Sequence, residues 1–441
     1  MRGSRFRTWL LLAAIVPVVL VLGACGSSDT SSTGSATGAS GGAQTTASGG
    51  STTTASAPAG EECGTVPEIP PKDPDGIIAS LGEEQQEAAN GFPVEITKSA
   101  WADFQGKPKP WKVGRVSRDG ITGYGVELRK QSEAEAKVAK ENGFVSEFNQ
   151  LDLNETTAAA ELAGYRAMVR QNPDVIITGF FNPKAVTKEV TAAGKKGILT
   201  VSIGTILESP YAVNLSVNWF TNVAKPVAAT MRQIGGKGNV LIVHGVPGAT
   251  ADVFGDQAID AVLGRCPDVK VVGEVNGSYV PALAKTEILK FLASHPGKID
   301  AVIQVGVMGS GIIEAFEQSG RPMPAISTLS LQGDLSYWLD HLGDGFKGSG
   351  NGGNGNSQMN ALWRMLSRIL DGRGPKANTI IVPPITIDED NLKDYADSGV
   401  PLDSPASAKG DPGTWAPDEY MDGWFEKPGT PEGADTLSSG Q

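Results

Sequence analysis

Residues 111–125 read WKVGRVSRDGITGYG, and the way this stretch changes character decides the fold. Val113 and Val116 sit in a short apolar run that stops at a polar, glycine-rich loop, and a helical run follows from Val126 to Asn142, closed by Gly143. That is strand, loop and helix, with glycine at the helix stop. The unit recurs. Phe144–Phe148 leads into a helical run from Ala158 to Arg170. Val175–Thr178 ends at Gly179-Phe-Phe-Asn-Pro before a helix from Ala185 to Ala193, and Ile198–Ser202 ends at Ile203-Gly-Thr. Strands alternating with helices of this length predict βαβ units and a parallel sheet covered on both faces. Ligands bind such sheets outside the carboxyl ends of the strands. Ser117–Tyr124, Gly179–Asn182 and Ser202–Thr205 are therefore expected to line one cleft.

A second α/β series follows Asn218. Val223, Val227 and Met231 recur every four residues on a helix from Phe220 to Ile234, giving it one apolar face. Strands are expected at Asn239–Gly245, Val269–Gly273, Ile299–Val305 and Pro324–Leu329. Helices run up to Leu263, from Pro281 to Ser294, and from the Gly306–Gly311 loop to Gln318. Two similar halves predict two lobes with a cleft between them.

The chain opens on Arg2, Arg5 and Arg7, then an apolar run from Leu10 to Leu22 broken by Pro17. A basic head, a short apolar core and small residues make a secretory leader, too short for the ~20 residues of a membrane span. Leu22-Gly23-Ala24-Cys25 resembles the lipobox of bacterial lipoproteins, which implies cleavage before Cys25, lipidation of its thiol and residence on the outer face of a cytoplasmic membrane. Residues 26–60 are almost wholly Gly, Ser, Thr and Ala and cannot bury enough apolar surface to fold. As a tether they span roughly 30–35 Å. The net charge of −12 argues against a nucleic-acid partner. With Cys25 lipidated, Cys63 and Cys266 remain, either as one disulfide or as two buried thiols. The proline-rich run from Glu61 reads as an extended wrap on the folded domains.

From residue 111 to about 400 the chain resembles the type I periplasmic binding proteins of the ribose and galactose class. The phrases that carry this are the strand, aromatic-bearing loop and helix of Val113–Gly143, Pro173–Ile177, the Gly-x-Pro-Gly turn at His244–Gly248, Ile299–Gly311, Asp371–Pro383 and Ile385–Leu392. The resemblance implies two doubly wound α/β lobes joined by three crossovers, placed near Asn218, Phe346 and Asn378. The expected organisation is leader 1–24, lipidated Cys25 and tether 25–60, wrap 61–110, lobe one 111–218 plus 346–378, lobe two 219–345 plus 379–400, and tail 401–441. Trp415, Trp424 and Phe425 predict that part of the tail packs on a lobe.

The departures bear on the ligand. The family Asp after the fourth strand reads Ser202–Thr205. A family Arg falls at about Gly255, the Asn-Asp before the next helix reads Val305-Gly306, and a later Asp reads about Ser330. Charged planar groups grip sugar hydroxyls by charge-assisted bonds. Their loss predicts a neutral, partly apolar solute or a larger glycoside rather than a free pentose or hexose. The candidate ligand residues are Asp119, Tyr124, Phe181, Asn182, Ser202, Thr205, Phe254, Gln304, Ser330, Gln332, Asn351 and Asn354. Phe180 and Phe181 cannot both face one side of a strand end. No catalytic set emerges: His244, His295 and His341 are far apart in sequence, and no Gly-x-Ser-x-Gly elbow occurs. The expected protein is a monomeric, cofactor-free, metal-free receptor rather than an enzyme. It captures a sugar-like molecule and, by resemblance, delivers it to an ABC permease. The alternatives are a sensing receptor for a membrane signalling partner and a binder of a non-sugar neutral molecule.

Overall fold

The structure, a computed structural model, describes residues 62–118, 123–153, 155, 157–353, 355–410 and 415–432; the leader, Cys25, the tether, Asp119 and Asn354 lie outside them. The described chain begins on an extended segment carrying the short helix α1 (Glu83–Ala88). Cys63 of this segment is joined to Cys266 by a disulfide with Cα atoms 4.6 Å apart. Farther on, Phe92, Ile96 and Trp101 sink into the first hydrophobic core.

The first lobe is laid down as β1 (Trp111–Ser117), α2 (Gly123–Glu141), β2 (Val145–Asp152), α3 (Ala158–Val169), β3 (Val175–Thr178), α4 (Pro183–Gly194), β4 (Leu199–Ile203) and β5 (Ala212–Val217). The central strands β3, β4 and β5 are buried at every residue, as expected for a parallel sheet covered on both faces. The second lobe begins with α5 (Trp219–Gln233) and continues through β6 (Lys237–His244), α6 (Thr250–Leu263), β7 (Asp268–Asn276), α7 (Pro281–Ser294), β8 (Ala301–Gln304), α8 (Gly309–Ser319), β9 (Ala325–Leu329), α9 (Gln332–Asp340) and β10 (Gly348–Gly352). Then come α10 (Gly355–Leu370), β11 (Thr379–Val382), β12 (Ile385–Ile387), α11 (Leu392–Tyr395) and α12 (Asp418–Asp422).

The strands form two six-stranded sheets, ordered β11-β5-β4-β3-β1-β2 and β12-β10-β9-β8-β6-β7. All pairs are parallel except β10 with β12. In each sheet the order reverses about its first strand, so the switch points lie between β1 and β3 and between β6 and β8. These are the places where such sheets hold ligands.

Two of the three crossovers come later in the chain than the sequence predicts. The first is at Asn218, whose Oδ1 caps α5 by accepting from Phe220 N at 3.1 Å and Thr221 N at 3.3 Å. The second falls after β10 rather than near Phe346, because Gly348–Gly352 joins the second sheet beside β9. That strand is hard to read because close packing demands glycine: a Cβ on Gly350 would lie 2.6 Å from the Leu329 carbonyl oxygen. The third falls between β11 and β12 rather than near Asn378, because Thr379–Val382 pairs with β5. Helix α10 packs in the first core with Met359, Leu362 and Met365 fully buried.

The C-terminal segment divides between the lobes. Leu402 and Ala408 pack with the second core, whereas Trp415, Tyr420, Met421, Trp424 and Phe425 pack with the first. The buried Arg364 and Arg368 of α10 hold that second part through Asp418 and Asp422.

Candidate functional site

On the first lobe, Glu161 organises the carboxyl ends of β1 and β3. It is fully buried on α3, with Oε1 accepting from Phe181 N at 2.8 Å and Oε2 from Asn182 N at 2.9 Å. Arg118, one residue beyond β1, pairs with the same carboxylate at 3.3 Å and lies over the Phe181 ring. Phe180 turns inward and packs edge-on to Tyr165, so Phe181 is the aromatic left at the strand end. Ser202 and Thr205 do not present their hydroxyls to the cleft as expected. Ser202 Oγ donates to the Thr205 carbonyl at 2.8 Å and Thr205 Oγ1 to the Phe180 carbonyl at 2.7 Å, and both residues are buried. They lock the two loops together. Thr178, the last residue of β3, is buried with an unpartnered Oγ1. Tyr124 lies on α2, and its side chain is outside the described residues.

On the second lobe, polar groups gather at the carboxyl ends of β8 and β9. Gln304 is fully buried; its Oε1 accepts from Met308 N at 2.8 Å, and its Nε2 has no partner. Ser330 Oγ is likewise buried and unpartnered. Asp334 accepts from Ser330 N at 3.2 Å and Leu331 N at 2.8 Å through Oδ1, while its buried Oδ2 accepts nothing. Oδ2 lies against Gly309, at the start of α8, so close that residue 309 has no room for a side chain. Met308 and Gly309 thus tie Gln304 to Asp334. Burial pushes the Asp334 carboxyl up to about 7, against the backbone donors that favour its charged form. Natural structures leave few buried polar atoms unpaired, and here three gather at the carboxyl ends of β8 and β9.

Two other predicted residues serve the scaffold. Gln332 is spent on the end of α11 and the residues after it: Nε2 donates to the Tyr395 carbonyl at 2.7 Å, and Oε1 accepts from Asp397 N at 3.1 Å. Asn351 Nδ2 donates to the Asn222 carbonyl at 3.2 Å. Phe254 is half-buried on α6. Its neighbour Gly255, where the resemblance places an arginine, is a packing contact: a Cβ there would lie 2.8 Å from Val305.

Sequence reading did not single out Arg118, Glu161 or Asp334. Only the four-residue step from Ser330 to Asp334 hints at a carboxylate folding back on a helix start. A further group lies at the ends of β6 and β7. His244 Nδ1 meets Asp256 at 2.8 Å and its Nε2 meets Glu274 at 3.3 Å. Burial works against the charged imidazole, but these two carboxylates outweigh it and raise its pKa. Asp252 accepts from Gly245 N at 2.6 Å, and with His244 and Asp256 it brings three potential metal-ligand atoms within 4.8 Å of one another. The direct bonds from His244 to two carboxylates make this a hydrogen-bonded network. A cavity of about 400 Å³ borders it. Another, of about 460 Å³, lies at the amino ends of β8 and β9, away from the switch points, beside Lys298, Tyr337 and His341.

A family model described as a periplasmic binding protein domain matches residues 118–367. The xylitol-binding protein of Mycolicibacterium smegmatis is 24% identical over 284 residues, 63% of this chain and 78% of that protein. An ABC transporter solute-binding protein of Thermobispora bispora superposes with a TM-score of 0.57 at 26% identity, over 64% of this chain and 87% of its own. One from Actinobacillus succinogenes with bound D-allose gives 0.54 at 18% identity, over 64% and 100%. With the match running from the end of β1 into α10, across both switch points, the chain belongs to the periplasmic binding protein domain family.

Proposed function

We propose that this chain is an extracytoplasmic receptor that captures a small, neutral, hydroxyl-rich solute between its lobes and passes it to an ABC importer. The observation that carries this is the set of buried, unpartnered Gln304 Nε2, Ser330 Oγ and Asp334 Oδ2 at the carboxyl ends of β8 and β9 in the second lobe. A donor, a hydroxyl and a carboxyl suit a polyol, whose hydroxyls both donate and accept. The xylitol-binding relative and the allose-bound structure favour the same ligand chemistry. Arg118 and Phe181 offer a planar cation and an aromatic face from the opposite lobe. Groups left unpaired without ligand also confer selectivity, because a solute lacking the matching hydroxyl leaves them unpaired still.

The mechanism is hinge closure. Contacts to both lobes stabilise the closed arrangement, and the importer reads that arrangement. In this reading the protein turns nothing over. No described helix is long and apolar enough to cross a membrane, and a lipid on Cys25 would supply the anchor. Native mass spectrometry of the protein purified without added solute tests the proposal. A co-purified neutral polyol or sugar supports it, and a co-purified amino acid or peptide contradicts it.

A further inference from the structure

The tail is fastened to the loop that carries the proposed ligand groups. Gln332 N donates to the Ala406 carbonyl at 2.7 Å, and Leu331 bridges Ser407 in antiparallel fashion. Gln332 grips Tyr395 and Asp397 with both ends of its amide. Val400 N donates to Ser336 Oγ at 2.9 Å, and Gly399 N to Asp340 at 2.9 Å, farther along α9. Up to Lys409, whose N–H donates to the Tyr395 carbonyl, the tail is part of the second lobe.

From that position Ser407 reaches the first lobe. Its Oγ donates to Glu127 Oε2 at 2.6 Å and its backbone N–H to Glu127 Oε1 at 3.3 Å. Glu127 sits near the start of α2, the helix that follows β1. One carboxylate on the first lobe therefore holds two donors fixed to the second, at the cleft ends of β1 and β9. The Oγ bond is short and carries a charged acceptor, the stronger kind of hydrogen bond. It is compatible only with lobes held close together, since a hinge rotation that opens the cleft carries Glu127 away from Ser407.

We infer that Glu127 and Ser407 form a latch between the lobes, positioning them for capture and favouring the closed arrangement. The inference rests on the proposed solute-binding reading for its purpose, but not for its test. Small-angle X-ray scattering of the full mature chain without added solute reads the opening directly. Glu127→Ala and Ser407→Ala are each expected to raise the radius of gyration, the double variant to add nothing further, and Glu127→Asp to stay close to wild type. A cooperative urea transition in each variant shows that it folds. Scattering curves of both alanine variants that superpose on the wild type overturn the latch. Titration with xylitol, where it binds, should show about tenfold weaker affinity in Glu127→Ala, mostly through faster release. Equal affinity in wild type and variant counts against the latch, whereas failure of the wild type to bind any polyol or sugar counts against the ligand reading alone.

Discussion

Asn351 repairs a defect that Pro226 creates in α5. Proline has no N–H to give the carbonyl four residues earlier, which is that of Asn222, and Asn351 Nδ2 supplies the missing bond at 3.2 Å. Ser349 Oγ donates in turn to the Pro226 carbonyl at 2.8 Å. Thus β10 is sewn to a helix it reaches only after more than a hundred residues. Asn351→Ala should lower stability by about 1–2 kcal/mol, because it strands a buried carbonyl, and should leave solute affinity unchanged. The loss should shrink in a Pro226→Ala background, where the helix restores its own bond. Urea unfolding of the four proteins in a double-mutant cycle checks this.

Ser330 behaves in the opposite way. Its hydroxyl is buried without a partner, so Ser330→Ala should cost no stability and can gain some, while lowering solute affinity by about tenfold or more. Calorimetry and urea midpoints on the same preparation separate the two effects. An alanine variant that binds normally removes Ser330 from the site.

Asp334 should make the second lobe sensitive to pH. Its folded pKa, raised by burial to about 7, exceeds the ordinary value of 3.8. Its contribution is therefore fully present below about pH 4 and is lost as the pH rises through 7. Urea midpoints should fall more steeply between pH 5 and pH 8 in the wild type than in Asp334→Asn. Parallel curves would show that the carboxyl ionises without penalty.

The Cys63–Cys266 bond ties the leading segment to the second lobe across 203 residues of sequence separation. Replacing both cysteines by alanine should cost about 2–5 kcal/mol. The loss should exceed that of Arg232→Ala, which removes a neighbouring bond to the Gly64 carbonyl. Urea unfolding compares them.

The alternation of strands and helices was legible because burial imposes a period: Val223, Val227 and Met231 recur every four residues and are all fully buried. The β10 strand was not, since Gly348 and Gly350 answer close contacts with Trp338 and Leu329 rather than a hydrophobic pattern. In the proposed site, Gln304 and Ser330 were expected from sequence because they stand at the end of β8 and just after β9. Asp334 was not, because a carboxylate in the first turn of a helix ordinarily reads as a cap. Asn351 and Gln332 look like ligand amides in sequence. Only the fold reveals the Asn222 carbonyl that Pro226 leaves free and the backbone at the end of α11 that they serve.

In the proposed function, the groups at the β8 and β9 ends receive a neutral hydroxyl-rich solute. Calorimetric titration of the mature wild-type chain with xylitol, D-allose, free pentoses and hexoses, glycosides, amino acids and short peptides tests it most directly. The expected result is saturable one-to-one binding of a polyol, sugar or glycoside, weakened by Ser330→Ala. Binding confined to amino acids or peptides, or polyol binding indifferent to Ser330→Ala, would contradict it.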